Sequence, residues 1–182
     1  MTVLLYATIW TALLLFAAAE AGRTRLAAGN VPAHWAWAAW NVGGALTLVH
    51  LLVALDLRYG WNHGAAAAET ARRSAEVYGV GWRGSIYVNY LFVVCWFAES
   101  WRWRRAAGGR APSATGTWLL RLFFLIVIVN GAIVFAVHDA GRVAGVLIVA
   151  VLLWSWTAPG GVGRLQSNAG HAYIKSGTGK VS

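Results

Sequence analysis

The chain has 182 residues, of which 59% are hydrophobic and 12% are charged, and its formal net charge is +9. A soluble globular domain carries about 25% charged residues, so this composition excludes water as the main solvent for most of the chain. The basic excess does not indicate a nucleic-acid partner, because neither a recognition module nor a separate basic domain accompanies it.

The hydrophobic residues fall into five long blocks rather than short periodic stripes. Each is close to the ~20 residues needed to cross a bilayer, although the third and fifth are short unless flanking residues extend them. The pattern predicts an all-α fold, a polytopic helical bundle over residues 1–158 with about five transmembrane helices. Many of the twelve Trp flank or end these blocks, as in an aromatic belt. The blocks are Val3 to Ala19, Trp35 to Leu55, Ile86 to Trp101, Trp118 to Val137 and Val143 to Trp156.

The first block has two interpretations. The small residues from Ala17 to Ala21 resemble a signal-peptidase site, which would make the block a cleaved signal peptide. No Lys or Arg precedes the block, however, and Arg23 and Arg25 follow it. This arrangement favours a retained span with its amino end outside.

The longest connection, between the second and third blocks, predicts a short amphipathic helix over residues 63–78. Asn62 and Gly79 are suited to cap its two ends, and Glu69–Arg73 and Arg72–Glu76 have the spacing of helical ion pairs. We expect this helix to lie on the outer membrane surface or to cap the bundle. One side carries Ala68, Ala71, Ala75 and Tyr78.

The remaining segments predict close packing between helices and a flexible carboxyl-terminal tail. Small residues four apart, Gly43 with Thr47 and Gly141 with Gly145, suit close helix contacts. The fourth and fifth blocks are separated only by residues 138–142, which predicts a tight helical hairpin. Residues 159–182 are Gly-rich and polar and predict a flexible cytoplasmic tail.

The basic residues predict the orientation, with the amino terminus outside and the tail in the cytoplasm of a bacterial plasma membrane. Five spans would then leave nine of the fifteen basic residues in cytoplasmic segments, with Arg121 able to reach the same side. The cytoplasmic set is Arg23, Arg25, Arg102, Arg104, Arg105, Arg110, Arg164, Lys175 and Lys180, and the outer set is Arg58, Arg72, Arg73, Arg83 and Arg142.

Ionisable side chains near the outer ends of the spans are candidate ligands for a metal ion or haem. Imidazole and carboxylate suit Zn, Fe, Cu or Mn, and two histidines from different helices can hold a haem iron. The alternative is a structural role, in which His50 bonds a backbone carbonyl or Asn130 and the other histidines are wetted by headgroups. Their spacing matches no tight metal motif. The candidate metal ligands are His50, His138, His63, Asp56 and Asp139.

A second polar group lies near the inner ends, where Glu99 and Arg102 are expected to form a surface ion pair. Asn130, in the middle of the fourth block, should bond across to another helix. Cys95 is expected to be an inert packing residue. The remaining members of the inner group are Glu20, His34 and Asn41.

The sequence carries no soluble catalytic motif, and whether the chain is an enzyme stays open. The favoured hypothesis is an accessory or assembly subunit of a membrane complex, with protein partners or as a homo-oligomer. The alternative is a small membrane redox protein or enzyme that uses the outer His/Asp cluster. A transporter or channel is less favoured, because five spans would have to oligomerise to form a pathway and no inverted repeat is apparent.

Overall fold

The computed structural model describes residues 2–26, 33–107, 113–136 and 138–157, and the predicted tail lies outside them. Within those ranges the chain is helical and contains no strand. A π-helical turn, Asn130–Val134, continues α5. The helices are α1 Thr2–Thr24, α2 Ala36–Tyr59, α3 His63–Tyr78, α4 Ser85–Ala107, α5 Ala114–Val129 and α6 Asp139–Trp156.

Each helix that contains a hydrophobic block extends beyond it at one end or both, because backbone hydrogen bonding continues through polar residues. The helical turns of α5 end at Val134, however, before the predicted Val137. The third block lengthens to the 23 residues of α4, and α5 begins early because the Ser113 side chain accepts a hydrogen bond from Gly116 N at 3.2 Å. The helix α6 begins earlier than the fifth block, at Asp139 rather than Val143. Asp139 belongs to the first turn of α6, where a carboxylate is favoured by the helix dipole.

Five long helices form a closed ring. Around it, α1 packs against α2, α2 against α4, α4 against α5, α5 against α6, and α6 against α1. Every one of the five contributes a large buried side chain to a single core, so α4 is an equal member of the ring. These side chains are Phe16, Trp40, Trp96, Phe124 and Leu152.

Four of the five ring helices are long and apolar enough to cross a membrane: α1, α2, α6, and α5 together with its π turn. The helix α4 is long enough but less apolar, since Asn89, Glu99 and Arg102 fall within it. The structure therefore supports a helical membrane bundle with four candidate spans, where the sequence predicted about five.

The two ends of the ring differ in chemistry. The end that holds the start of α1, the end of α2 and the start of α6 carries His50 and His138, and is called here the histidine end. The opposite end holds the last turns of α1, α4 and α6, with Glu20, Arg23 and Glu99, and is called the arginine end.

Close contacts between helices depend on glycine, as the small-residue spacing predicted. A Cβ atom on Gly43 would lie 3.2 Å from the carbonyl oxygen of Ala12 and 3.0 Å from the ring of Trp96. The absence of a side chain at this position lets α1 and α2 approach closely.

The helix α3 packs across the histidine end, against the end of α2 and the start of α4. The Asn62 side chain caps its first turn through Ala65 N at 2.9 Å, and Gly79 ends it in a left-handed conformation with φ 73°. The capping residues are therefore those predicted. The side that meets the bundle carries the buried Ala66 and Ser74, and Ala66 packs with Leu55 and Ile86. Most of the alanine side recognised in the sequence is exposed instead.

The π turn brings the backbone at Ala132 against α6. A Cβ on Gly145 would lie 2.6 Å from Ala132 O and 2.9 Å from Ile133 Cγ1. We expect Gly145→Ala to lower the free energy of unfolding by about 1–3 kcal/mol, because backbone cannot move aside as a flexible side chain does. Unfolding titrations in mild detergent measure this. Gly131→Ala, where nothing lies within 4 Å, is the matched control. Equal stability of the two variants would contradict this close contact.

Acidification should loosen α3. Hydrogen bonds from Arg72, and then from Arg73, lower the pKa of Glu69 from 4.5 to about 2. A carboxylate with a lowered pKa stabilises the folded helix fully above pH 4.5, and this contribution is lost as the pH falls from there toward 2. We expect faster hydrogen exchange in α3 amides at about pH 3 than at about pH 5, after correction for intrinsic rates. The effect should be modest because the pair is exposed. Glu69→Gln should abolish the pH response, and an unchanged response in that variant would refute this assignment.

Candidate functional site

His50, the first of the predicted ligands, faces α1. Its Nδ1 lies 3.0 Å from the carbonyl oxygen of Leu5 and 3.2 Å from Thr8 Oγ1. Thr8 in turn donates to Leu4 O at 2.9 Å. This is the backbone-carbonyl contact expected if His50 has a structural role, and it is made with α1 rather than with Asn130. Through it, His50 joins α2 to the amino end of α1.

The other four candidate ligands occupy separate surroundings at the histidine end. His63 shares a hydrogen bond of 3.0 Å with Tyr90 Oη, and the His138 ring lies 6.5 Å from that of Tyr6. Asp56 is exposed, and Asp139 pairs with Arg142 at 3.1 Å while its side chain is almost fully exposed. Across the described ranges, His, Cys, Asp and Glu side chains do not gather in threes or more. The metal site stays a prediction, without a preformed ligand cage behind it.

Asn130 bonds across helices as predicted, and its partner is α3. The Tyr78 hydroxyl donates to Asn130 Oδ1, and Asn130 Nδ2 donates to Ile126 O at 2.8 Å. The Asn130 amide therefore links α3 to the point where α5 passes into its π turn.

The most concentrated chemistry is a buried charge network at the arginine end. Arg23 Nη1 lies 3.0 Å from Glu99 Oε1 and 3.4 Å from Glu20 Oε1, and all three side chains are at most 7% exposed. Arg102 Nη1 lies 3.0 Å from Glu99 Oε2. The network joins α1 to α4, because Arg23 comes from one helix and Glu99 from the other.

A second branch of this network runs through Glu20 to α5 and α6. Trp156 Nε1 donates to Glu20 Oε2 at 2.6 Å, and Arg121 Nη2 lies 3.6 Å from the same oxygen. The Arg121 guanidinium lies close to two indole rings, 5.2 Å from the centre of Trp118 and 5.5 Å from that of Trp156. Glu20 therefore connects three helices of the ring.

A narrow cleft opens into this network, with an empty volume of about 220 Å³ that includes its mouth. Its enclosed part is large enough for about one water molecule. Three buried polar atoms lack a protein hydrogen-bond partner among the described residues, Glu99 Oε2, Arg121 Nε and Arg121 Nη1. Glu99 Oε2 is close to Arg102, but not with hydrogen-bond geometry. Glu99 and Arg121 line the cleft, together with Thr117, which accepts a hydrogen bond from Arg102.

The sequence interpretation of this end needs two corrections. Glu99 does pair with Arg102, but Glu99 is 5% exposed, so the pair is not at the surface as expected. Arg121 points into the ring rather than out toward the membrane surface. Glu99 is buried because Arg23, which comes from another helix, supplies it with a second partner. Arg121 turns inward because its partner, Glu20, lies inside the ring. The signal available in the sequence was that Glu20, Arg23, Glu99 and Arg121 all fall near helix ends on one predicted side.

The fold and this site define a class: a helical bundle with four candidate membrane spans and a buried arginine–glutamate network at one end. Comparison of the chain with protein-family models, curated proteins and solved structures finds no match.

Proposed function

We propose that the chain is an integral membrane protein with five spans that serves as an accessory or assembly subunit of a membrane complex. The observation that carries this is how its buried charged and indole side chains are used: they bond one helix of the ring to another. Examples are Arg23 with Glu99, Trp156 with Glu20, and Trp40 with Trp96. Such groups stabilise a scaffold in lipid, and the cleft beside them has room for a water molecule rather than an organic substrate.

The fifth span is α4. Its Phe92 and Trp96 lie in the same core as Phe16 of α1 and Phe124 of α5, with ring centres 4.8–5.4 Å apart. Because α4 shares this core with the four candidate spans, it crosses the bilayer with them. Its charged residues Glu99 and Arg102 form an ion pair near the arginine end. This pairing lowers the free-energy cost of placing charged side chains in a span.

In the proposed orientation, the amino terminus lies outside and the arginine end lies in the cytoplasm. Among the described residues, the arginine end carries six arginines against two glutamates, and the histidine end carries five arginines against four carboxylates. The further basic residues Arg110, Arg164, Lys175 and Lys180 follow helices that end on the arginine side. The bias supports a cytoplasmic arginine end by the positive-inside rule.

Cysteine labelling tests the topology. Cys95 is first replaced by Ser, and a single cysteine is placed at the exposed Ala68 of α3 or at the exposed Thr115 at the start of α5. In intact cells, a membrane-impermeant maleimide should label the Ala68 variant and leave the Thr115 variant unlabelled until the membrane is opened. The reverse pattern would overturn the orientation, and labelling of both would overturn the count of five spans.

The assembly role is tested in the native membrane. The tagged protein, solubilised in mild detergent, should migrate on native gels as a species larger than its own mass, and quantitative mass spectrometry should find a partner, or further copies, in a fixed ratio. A monodisperse single chain that carries a stoichiometric metal or haem would contradict this role.

The second candidate function is a metal or haem protein at the histidine end. One observation favours it: His50 contacts Leu5 and Thr8, and His138 lies beside Tyr6, so both predicted ligands flank the same turns of α1. Metal analysis and an absorption spectrum of gently purified protein test it. A metal or Soret band lost in both His50→Ala and His138→Ala would support this function, whereas retention in both variants would exclude this site.

A further inference from the structure

The arginine end carries a repeated pairing of arginine with tryptophan. The Arg104 guanidinium lies 4.8 Å from the ring centre of Trp37, and Arg105 lies 6.0 Å from that of Trp101. Arg25 lies 4.9 Å from Trp154 and also donates to the Trp154 carbonyl at 2.7 Å. Arginine stacked on an indole is held in place while part of its N–H edge stays available.

The pairs surround the bundle instead of forming one face. Arg25 follows α1 and meets α6, Arg104 joins α4 to α2, and Arg105 pairs within α4. The helix α5 contributes a further pair at this end, in which the buried Arg121 lies near Trp118. A protein or nucleic-acid partner would contact one side of the molecule, whereas a ring at the ends of candidate spans matches the plane of lipid headgroups.

At the histidine end, three of the five arginines pair with carboxylates. Arg72 and Arg73 pair with Glu69, and Arg142 pairs with Asp139. In the described part of the chain, Arg104 and Arg105 form no ion pair with a carboxylate, and both are exposed. Their charge is therefore available to an external anion, whereas the charge of Arg72 and Arg73 is largely neutralised within α3.

We propose that this ring of arginine–tryptophan pairs binds anionic phospholipid, with Arg104 and Arg105 receiving headgroup phosphates and Trp37 and Trp101 lying against the adjoining glycerol and acyl carbons. The inference rests on the membrane placement proposed above. Anionic lipid is enriched on the cytoplasmic face, where a basic residue near the surface strengthens binding. Tryptophan favours the same interfacial depth.

Lipid binding by the purified full chain tests the proposal. Phosphatidylglycerol or phosphatidylcholine is titrated into the protein in mild detergent, and bound lipids are counted by native mass spectrometry. We expect the wild type to prefer phosphatidylglycerol over phosphatidylcholine. In R104Q/R105Q, this preference should fall about fivefold for each arginine removed. The control R72Q/R73Q removes the same charge from the opposite end and should keep the preference. An equal loss in both double variants, or no loss in R104Q/R105Q, would overturn the proposal.

Two further arms separate the alternatives. If inorganic phosphate at millimolar concentration displaces phosphatidylglycerol from the wild type, the site recognises free phosphate, and the lipid assignment is wrong. Extraction of membranes at high pH tests the placement independently. A chain that stays in the membrane but shows no lipid preference refutes this inference alone, whereas a chain released by the treatment refutes the membrane function as well.

Discussion

Replacing Arg23 with Met should lower the free energy of unfolding by about 3–5 kcal/mol. Arg23 is the residue that Glu20 and Glu99 share, at 3.4 Å and 3.0 Å, and all three side chains are buried. Its removal leaves two carboxylates in a poorly hydrated site, with Arg121 at 3.6 Å and Arg102 at 3.0 Å as remaining partners. Breaking a buried ion pair from one side costs this much because the remaining arginines do not replace the hydrogen bond that Arg23 donates to Glu99. Unfolding titrations in mild detergent measure the effect.

Two companion variants separate charge from packing. Arg23→Met combined with Glu99→Gln should recover part of the loss, because the second change removes one stranded charge. Arg142→Gln, which breaks the exposed pair with Asp139, should cost less than about 1 kcal/mol. If Arg23→Met were no more harmful than Arg142→Gln, the network would not be a structural element.

Replacing Trp96 with Ala should be comparably destabilising, by about 3–5 kcal/mol. Trp96 is fully buried and packs against Phe16 at 4.8 Å and Phe92 at 5.4 Å. Its Nε1 donates to Trp40 O at 3.0 Å, and Trp40 Nε1 donates to Trp96 O at 3.1 Å. The substitution removes the indole that closes α2 onto α4, and it leaves a cavity that the surrounding rings cannot fill.

An aromatic variant and a surface variant make this prediction specific. Trp96→Phe keeps an aromatic ring but removes the donor to Trp40 O, so its loss should fall between that of Ala and wild type. Trp101→Ala, on the same helix but 61% exposed, should change stability by less than about 1 kcal/mol. Equal losses for Trp96→Ala and Trp101→Ala would show that burial at Trp96 is not what stabilises the ring.

Local features of the fold could be predicted from the sequence because they depend on neighbours in the chain. Asn62 and Gly79 mark the ends of α3, and the glycines at 43 and 145 mark close contacts, since caps and small-residue contacts arise from residue type at a fixed spacing. The helix bounds could not be predicted as well. The third hydrophobic block ends at Trp101, whereas the hydrogen-bonded helix continues through Arg102 to Ala107.

The candidate site shows the same division. The sequence placed Glu20, Glu99 and Arg121 near one end, but it treated Glu99 with Arg102 as a surface pair. It could not show that Arg23 turns inward to reach Glu99, because these residues are 76 positions apart. His50 is a similar case, since its hydrogen bond to Leu5 O depends on how α1 packs on α2.

The sequence by itself determined that the bundle is helical and built from long apolar segments with polar residues collected at their ends, because composition and hydropathy follow from residue type alone. Only the tertiary structure decided which helices are neighbours in the ring, which charges are buried together, and that His50 contacts α1. Those outcomes depend on side chains far apart in the chain, and a linear pattern carries no information about the angle at which two helices meet.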